Sequence, residues 1–446
     1  MSASSARRRL CRVTVATVLG LLLAGTAATP AVSAETIRQE QWYLDRMQAE
    51  DMWKTSTGKG VTVAVIDTGV DATNPDLVGR VLPGKDYATD QPGDEHTNYD
   101  TFGHGTGMAA LIAATGADLN GKGSFGLAPG AKILPIRLPK SGTSANLAAG
   151  EESFNKALAP AIRYAADHGA KVINISMGAS GTTQQVTDAV KYALDKGALI
   201  FAAVGNSGNE ANLAEYPAAT PGVVGVAAVG KNLHRTAESQ YGPQVDMAAP
   251  GEDMVHACGA KTGLCTTSGT SDATALASAS AALIWSVHPT WTNNQVLRVM
   301  LNTIGGPTDG AKRNDAIGYG IVRPRIALQN PGDPGPANVY PLPDLAAAEK
   351  SASPSPTPSA KPSEPAEAVA AAKQDDDGTP WLGIGLAVAA LAAAGAAATV
   401  VARKRRTTPP TPQHPQNQPH PAPQQGFGPP PPMPGNVPPN QGPGPS

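Results

Sequence analysis

Charge is sparse in this chain, and neither sign prevails. Only 16% of its 446 residues are charged, and 34 Lys and Arg against 36 Asp and Glu leave a formal net charge of −2. Nucleic-acid binding, which needs a concentrated positive field, therefore has no electrostatic support. Aromatics are equally scarce, at 4%. With Ala and Gly abundant, that fits a tightly packed fold with small residues where helices meet a sheet. Cysteine is nearly absent: there are three, and Cys11 lies in an N-terminal apolar segment expected to be removed. Cys258 and Cys265 remain, close together in one loop, and in an exported chain such a pair predicts a disulfide. Two free thiols are the alternative. A zinc site is poorly supplied, because only His256 lies nearby and no second ligand pair is visible. There is no EF-hand-like run, and the acids around Asp90, Asp94 and Glu95 read as a solvated loop. No metal or cofactor is assigned.

The chain is unevenly built. Residues 1–34 have the layout of a secretory signal peptide: Arg7, Arg8, Arg9 and Arg12, then an apolar run over Val13–Ala28, then small residues at Val32-Ser-Ala34. Residues 35–57 are polar with Trp42, Leu44, Met47, Met52 and Trp53 interspersed, which suits a short helix docked on something else. Much of the proline lies beyond residue 330. Residues 331–380, rich in Pro, Ser, Ala and Glu, lack the periodicity a core needs and predict an extended or disordered spacer of roughly 40 Å. Residues 381–402 carry no charge and are long enough to cross ~30 Å of hydrocarbon. Asp375-Asp-Asp377 precedes them and Arg403-Lys-Arg-Arg406 follows, so a span there puts the C-terminus in the cytoplasm and the preceding domain outside the cell. Residues 403–446 form a Pro-rich cytoplasmic tail.

The globular part, residues 58–330, alternates strand and helix. Val61–Ile66, Ala131–Arg137, Lys171–Ile175, Ala198–Val204 and Val223–Val229 are short β-branched or small apolar runs of the kind that fill a parallel sheet. Small-residue or periodic segments open at His104, Ala145, Thr183 and Ser271, the second of them interrupted by Pro160. Thr292-Asn-Asn-Gln295 reads as a capping box, and Gly318–Pro324 as a return to extended chain. The pattern predicts an α/β, doubly wound parallel sheet, whose sites lie at the carboxyl ends of strands.

Chemistry-bearing residues fall at those ends. Asp67 closes the first strand in Val-Ile-Asp-Thr-Gly. His104 sits in Gly-His-Gly-Thr-Gly, where flanking glycines let other groups approach the imidazole. Ser176-Met177-Gly178 and Gly205-Asn206 follow two further strands. Ser271, in Gly-Thr-Ser, stands at a loop-to-helix corner, where unpaired N–H groups and the helix dipole favour an oxyanion. Singly, each has a plainer reading: a turn aspartate, a buried or metal-bound histidine, an Asn-Ser-Gly turn, a common loop. Together, the order Asp, His, Ser is one of the known orders for a serine nucleophile with its base and orienting acid.

The motifs around Asp67, His104, Asn206 and Ser271 resemble those of the subtilisin-type serine proteases, over about residues 58–330. The resemblance implies peptide hydrolysis in which Ser271 attacks, His104 carries the proton, Asp67 orients His104, and Asn206 with the Ser271 N–H holds the oxyanion. It also implies that Ser176, Met177 and Gly178 pair with substrate backbone and line the first specificity pocket. The layout of signal peptide, arm, protease domain, Pro-rich spacer and single span resembles the mycosins, membrane-anchored subtilases of type VII secretion. Gln41-Trp-Tyr-Leu-Asp-Arg-Met and Trp53-Lys-Thr-Ser-Thr-Gly-Lys-Gly-Val carry that likeness. It implies a polypeptide substrate, a role beside the type VII secretion membrane complex, and an arm that wraps the domain. A general cell-surface subtilase and a weakly active structural component are the rivals. One departure stands out: the family places an apolar residue after the nucleophile and a proline shortly beyond, where this chain has Asp272 and Ala275. The plainer reading is an acid favoured by the dipole in a helix's first turn; the sharper one is a carboxylate that raises the His104 pKa and opposes the oxyanion.

Overall fold

The computed structural model describes residues 36–139, 146–259 and 263–352. Nine strands are described: β1 (Thr62–Asp67), β2 (Lys85–Asp86), β3 (Lys132–Arg137), β4 (Val172–Ile175), β5 (Leu199–Ala203), β6 (Val224–Val229), β7 (Met247–Pro250), β8 (Met254–Ala257) and β9 (Leu264–Thr267). The first seven form one sheet in the order β2-β3-β1-β4-β5-β6-β7, every pair parallel. β8 and β9 make a separate antiparallel hairpin. The chain builds outward from β1 on one side, then crosses to β4 on the other. The β1–β4 boundary is thus a point where strand order reverses, the place where open α/β sheets present their sites.

The strands are apolar on both faces because both are covered. Val63 and Val65 of β1 face one core and Ala64 and Ile66 the other, as the two-residue strand period dictates. The first core is closed by α4 (His104–Ala113), α8 (Thr270–Val287) and α9 (Asn293–Asn302). The second is closed by α6 (Leu147–Asp167) and α7 (Gln184–Asp195). Every residue of α8 from Thr270 through Trp285 is buried. Its run of Ala and Ser lets it lie close across β4, β5, β6 and β7.

Before the sheet come α1 (Ile37–Glu40), α2 (Trp42–Met47) and α3 (Ala49–Trp53), three short helices where one was expected. They dock by polar as well as apolar contacts. Trp42 Nε1 donates to the Glu252 carbonyl and Trp53 Nε1 to that of Leu127, each at 2.9 Å. Gln41, fully buried, pairs with both the N–H and the C=O of Phe125. A short turn, α5 (Asp118–Gly121), lies between α4 and β3.

Three local expectations are corrected. Pro160 does not interrupt α6, which runs through it; the proline and Lys156, whose carbonyl loses its partner, are both exposed, so water can serve that group. β2, β7 and the β8–β9 hairpin were not anticipated, and Gly318–Pro324 contributes single bridges, from Ile321 to Ala248 and Gly305 and from Gly318 to Asn314. The domain also continues past residue 330, where a spacer was expected. Arg298 on α9 donates to the carbonyls of Pro334, Pro336 and Val339, and Gln295 to that of Gly335. Leu342 is buried, Asp344 accepts from the Gly222 N–H at 2.7 Å, and α10 (Pro324–Gln329) is followed by α11 (Pro343–Ala352). Side-chain donors gripping bare carbonyls leave no periodic apolar signature, which is why composition alone reads that stretch as a linker.

No described helix is long and apolar enough to cross a membrane. The expected signal peptide at 1–34, the span at 381–402 and the tail at 403–446 lie outside the described residues, as does the spacer beyond residue 352.

Candidate active site

The carboxyl ends of β1, β4 and β5 converge on the N-termini of α4 and α8. Asp67, the last residue of β1, is fully buried. His104 is the first residue of α4, set there by Gly103 in a left-handed conformation (φ 64°). Its N–H is capped by the Asp100 carboxylate at 3.0 Å. Gly105 lets the two segments meet: a side chain there would strike the Gly69 carbonyl at 2.3 Å and crowd Asp67. The imidazole Nδ1 lies 2.7 Å from Asp67 Oδ1 and, since a carboxylate only accepts, donates to it. Nε2 is then the nitrogen left to handle a proton. Burial opposes a charge on His104, but the charge and hydrogen bond of Asp67 outweigh it, with Asp272 and Asp100 adding to them. Its pKa is raised from 6.5 to about 9.

Ser271 is the second residue of α8, after Gly269 at its N-cap. Its N–H is among the first-turn amides that have no partner inside the helix. The hydroxyl donates to the Ser176 carbonyl at 3.0 Å rather than to His104. The serine must therefore turn about its side-chain bond to engage the imidazole, a tightening that substrate binding commonly brings about. Asn206 follows β5 through Gly205. Its amide oxygen is fixed by two donors, the Thr270 N–H at 2.9 Å and hydroxyl at 3.0 Å. The Thr270 N–H cannot accept, so the amide's orientation is settled and Nδ2 is the donor presented to the cleft. That cleft, about 330 Å³, is lined by His104, Ser176, Met177, Gly178, Asn206 and Ser271, with Glu215 at one wall. The structure thus gathers Asp67, His104, Ser176, Met177, Gly178, Asn206 and Ser271 in one place.

A serine hydroxyl, an imidazole tied to a buried carboxylate, and N–H donors from Asn206 and Ser271 at one cleft are the groups acyl transfer to serine uses. Residues 58–320 match the Subtilase family.

The chain belongs to the subtilase family.

Thermitase from Thermoactinomyces vulgaris is 35% identical over 211 residues, 47% of this chain and 70% of that protein. Subtilisin BL from Lederbergia lenta is 33% identical over 263 residues, 59% of this chain and 90% of that protein. Among solved structures, the MycP3 protease from the type VII (ESX-3) secretion system matches with a TM-score of 0.56 at 32% identity, over 67% of this chain and 90% of that one. MycP1 from Mycobacterium smegmatis matches with a TM-score of 0.58 at 28% identity, over 67% and 86%. This subtilase is a serine protease, and its sheet, helices and cleft follow the subtilisin-like plan.

Several residues that the motifs did not reveal support this subtilase's nucleophile. Asn174 on β4 donates to Ser176 and accepts from Ser278 of α8, both at 3.0 Å, and Ser176 Oγ donates to the Ser271 carbonyl at 3.1 Å. The signal was a polar residue inside an apolar strand, Val-Ile-Asn-Ile.

Asp272 is buried too, but it does not stand as a free charge. His256 on β8 donates from Nδ1 to the Ala257 carbonyl at 2.8 Å, and its Nε2 meets the Thr267 hydroxyl at 2.8 Å. That hydroxyl also bonds Asp272 Oδ1, which lies 3.6 Å from Nε2. The hydroxyl has one proton for two neighbours. Either His256 is a cation and Asp272 an anion, or both are neutral and Asp272 donates to Thr267. The pair carries no net charge in either state. Burial pushes Asp272 up and His256 down, favouring the neutral state. The Asp67 contribution to the His104 shift therefore stands, while that of Asp272 requires its ionised form.

Cys258 and Cys265 form a disulfide, with S–S 2.08 Å and Cα–Cα 5.9 Å. They close the β8–β9 hairpin that carries His256 and Thr267.

Proposed function

We propose that this subtilase is an exported, membrane-tethered endopeptidase of the mycosin type. On this reading Ser271 attacks the scissile carbonyl carbon while His104 Nε2 takes the hydroxyl proton. Asp67 holds the imidazole tautomer and offsets its positive charge. Asn206 Nδ2 and the Ser271 N–H receive the oxyanion of the tetrahedral intermediate. Its collapse breaks the C–N bond, His104 protonates the leaving amine, and water releases the acyl group by the same steps in reverse roles. Ser176, Met177 and Gly178 flank the substrate backbone. The observation that carries the chemistry is the 2.7 Å bond between His104 and Asp67 at the mouth of the Ser271 cleft.

Work on substrates of a type VII secretion system is supported by the likeness to MycP1 and MycP3. Attachment outside the cytoplasmic membrane is supported by the charge-free stretch 381–402 between Asp375–Asp377 and Arg403–Arg406. Fluorophosphonate labelling of the full-length chain tests the enzyme: label on the wild type and none on Ser271→Ala is expected, and label surviving in Ser271→Ala overturns the assignment. The secretion role is tested in the host. Ser271→Ala should leave a secreted type VII substrate unprocessed, and processing unchanged by both that substitution and deletion of the chain overturns the role.

A further inference from the structure

The cleft is also lined by a carboxylate that the acyl-transfer chemistry does not use. Glu215 is held beside Gly178 by backbone: the Ala179 N–H donates to the Tyr216 carbonyl at 2.9 Å, and the Tyr216 N–H to the Ala179 carbonyl at 2.8 Å. Its two oxygens reach the two backbone segments that bracket the acyl position. A Cβ on Gly178 would lie 2.7 Å from Oε2, and one on Gly205 would lie 2.5 Å from Oε1. Gly178 lies three residues beyond the end of β4, two after Ser176, and Gly205 directly precedes Asn206.

No ion pair among the described residues includes Glu215. Its hydrogen-bond partner is neutral, Gln240 Nε2 at 2.8 Å, which also bonds Ser207 Oγ. Burial pushes the Glu215 carboxyl up, the Gln240 bond holds it back, and like charge from Glu151 raises it further. Among the described residues, no cation therefore neutralises this carboxylate. Met177 and Ala203, lining the same cleft, offer apolar surface along which an aliphatic stem can lie.

We propose that Glu215 is the specificity-determining residue of the first subsite, selecting arginine or lysine as the residue immediately before the scissile bond. The inference rests on the reading of Ser176–Gly178 as the strand that flanks that residue. A guanidinium or ammonium entering between Gly178 and Gly205 meets the carboxylate in a partly desolvated wall, and arginine can engage both of its oxygens. A large apolar side chain would instead shut the carboxylate away from water unpaired, which is costly. The subsite thus rejects apolar residues as well as attracting cations.

The test uses the full-length chain and fluorogenic peptides differing only in the residue before the cut: Arg, Lys, citrulline, Met, Phe and Glu. Citrulline has the shape of arginine without its charge. The expected preference for Arg over citrulline is on the order of 10–100-fold in kcat/KM, falling as salt is added. Glu215→Gln should bring that ratio close to unity, and Glu215→Lys should turn the preference toward Glu, a gain that misfolding cannot produce. A wild-type preference for Phe or Met over Arg, or an Arg-to-citrulline ratio unmoved by Glu215→Gln, overturns the proposal. Fluorophosphonate labelling of Ser271 in the wild type separates the two failures. Without label the protease reading fails; with label and no basic preference, only this one does.

Discussion

The carboxyl of Asp272 and the imidazole of His256 lie 3.6 Å apart, joined through the Thr267 hydroxyl, one residue beyond Ser271. The pair is electrically neutral in either of its protonation states, so the acid next to the nucleophile places no net charge beside the oxyanion. Asp272→Asn keeps a donor for Thr267 and leaves His256 neutral. Its kcat should stay within several-fold of wild type. Asp272→Met removes the Thr267 hydroxyl's bond to the carboxyl in a buried site, leaves its bond to His256 Nε2, and should cost about 1–3 kcal/mol in stability. Thermal unfolding and peptide hydrolysis measure the two. A tenfold or greater rise in kcat for Asp272→Asn would show that a free carboxylate opposes the reaction.

His104 must be unprotonated to accept the serine proton, and its pKa is raised from 6.5 to about 9. The rate constant kcat/KM should therefore climb with pH through an inflection well above 6.5, giving an alkaline optimum. Asp67→Asn removes the main lifting influence and should shift that inflection downward. It should also cut kcat roughly 10⁴-fold by losing the working tautomer. The linkage to stability has the opposite trend to activity: His104 contributes most below about 6.5, and its contribution fades as pH rises through about 9. An inflection at or below 6.5 in the wild type would contradict the Asp67–His104 assignment.

Asn206 has its oxygen committed to Thr270, so its one role in the cleft is as a donor. Asn206→Ala should lower kcat by about 10²–10³ with little change in KM, the range seen when subtilisin itself loses its oxyanion amide. The variant also frees the Thr270 N–H, so its melting temperature must be read alongside. A large rise in KM with kcat preserved would place Asn206 in ground-state binding instead.

Asp246 is half-buried, close enough to Asp344 of the segment beyond the expected domain end to feel its charge. Burial raises its carboxyl from 3.8 to about 7, the Gly225 N–H opposes the shift, and Asp344 adds to it. The folded state binds this proton more tightly than the unfolded state does. Stability should then fall as pH rises between about 4 and 7, by an amount on the order of a few kcal/mol. Asp246→Asn keeps an acceptor for Gly225 and should flatten that slope, as melting curves across the window would report. An unchanged slope rules Asp246 out as its source.

Arg298 ties three carbonyls of residues 334–339 to α9. Arg298→Ala should speed limited trypsin cleavage beyond residue 330 by about tenfold, as expected for losing 1–2 kcal/mol of local docking. A Ser271→Ala background prevents self-cleavage, and mass spectrometry locates the cut. Cleavage at the wild-type rate would mean that Leu342 and α11 hold the segment without the arginine.

Much of the site was legible because its chemistry constrains sequence locally. Asp67, His104 and Asn206 each sit beside glycines that admit a close neighbour, and each follows a strand or opens a helix recognisable from its own periodicity. The supporting cast was not legible. His256 and Thr267 reach Asp272 only because the β8–β9 hairpin folds back, and its strands are too short to announce themselves. Glu215 carries no motif at all; its meaning comes from a two-way backbone pairing between Ala179 and Tyr216 that no spacing rule encodes. β7 is four small residues, Met-Ala-Ala-Pro, recognisable as a strand only once β6 lies beside it.

Ser271 rides on a helix buried without a break from Thr270 through Trp285. An enzyme that cuts loosened polypeptide is surrounded by copies of itself, and its own chain becomes food when it opens. Because α8 packs across β4, β5, β6 and β7, unseating the nucleophile breaks the core those strands share with it. Loss of activity on heating is therefore expected to track loss of the core that α8 shares with the sheet.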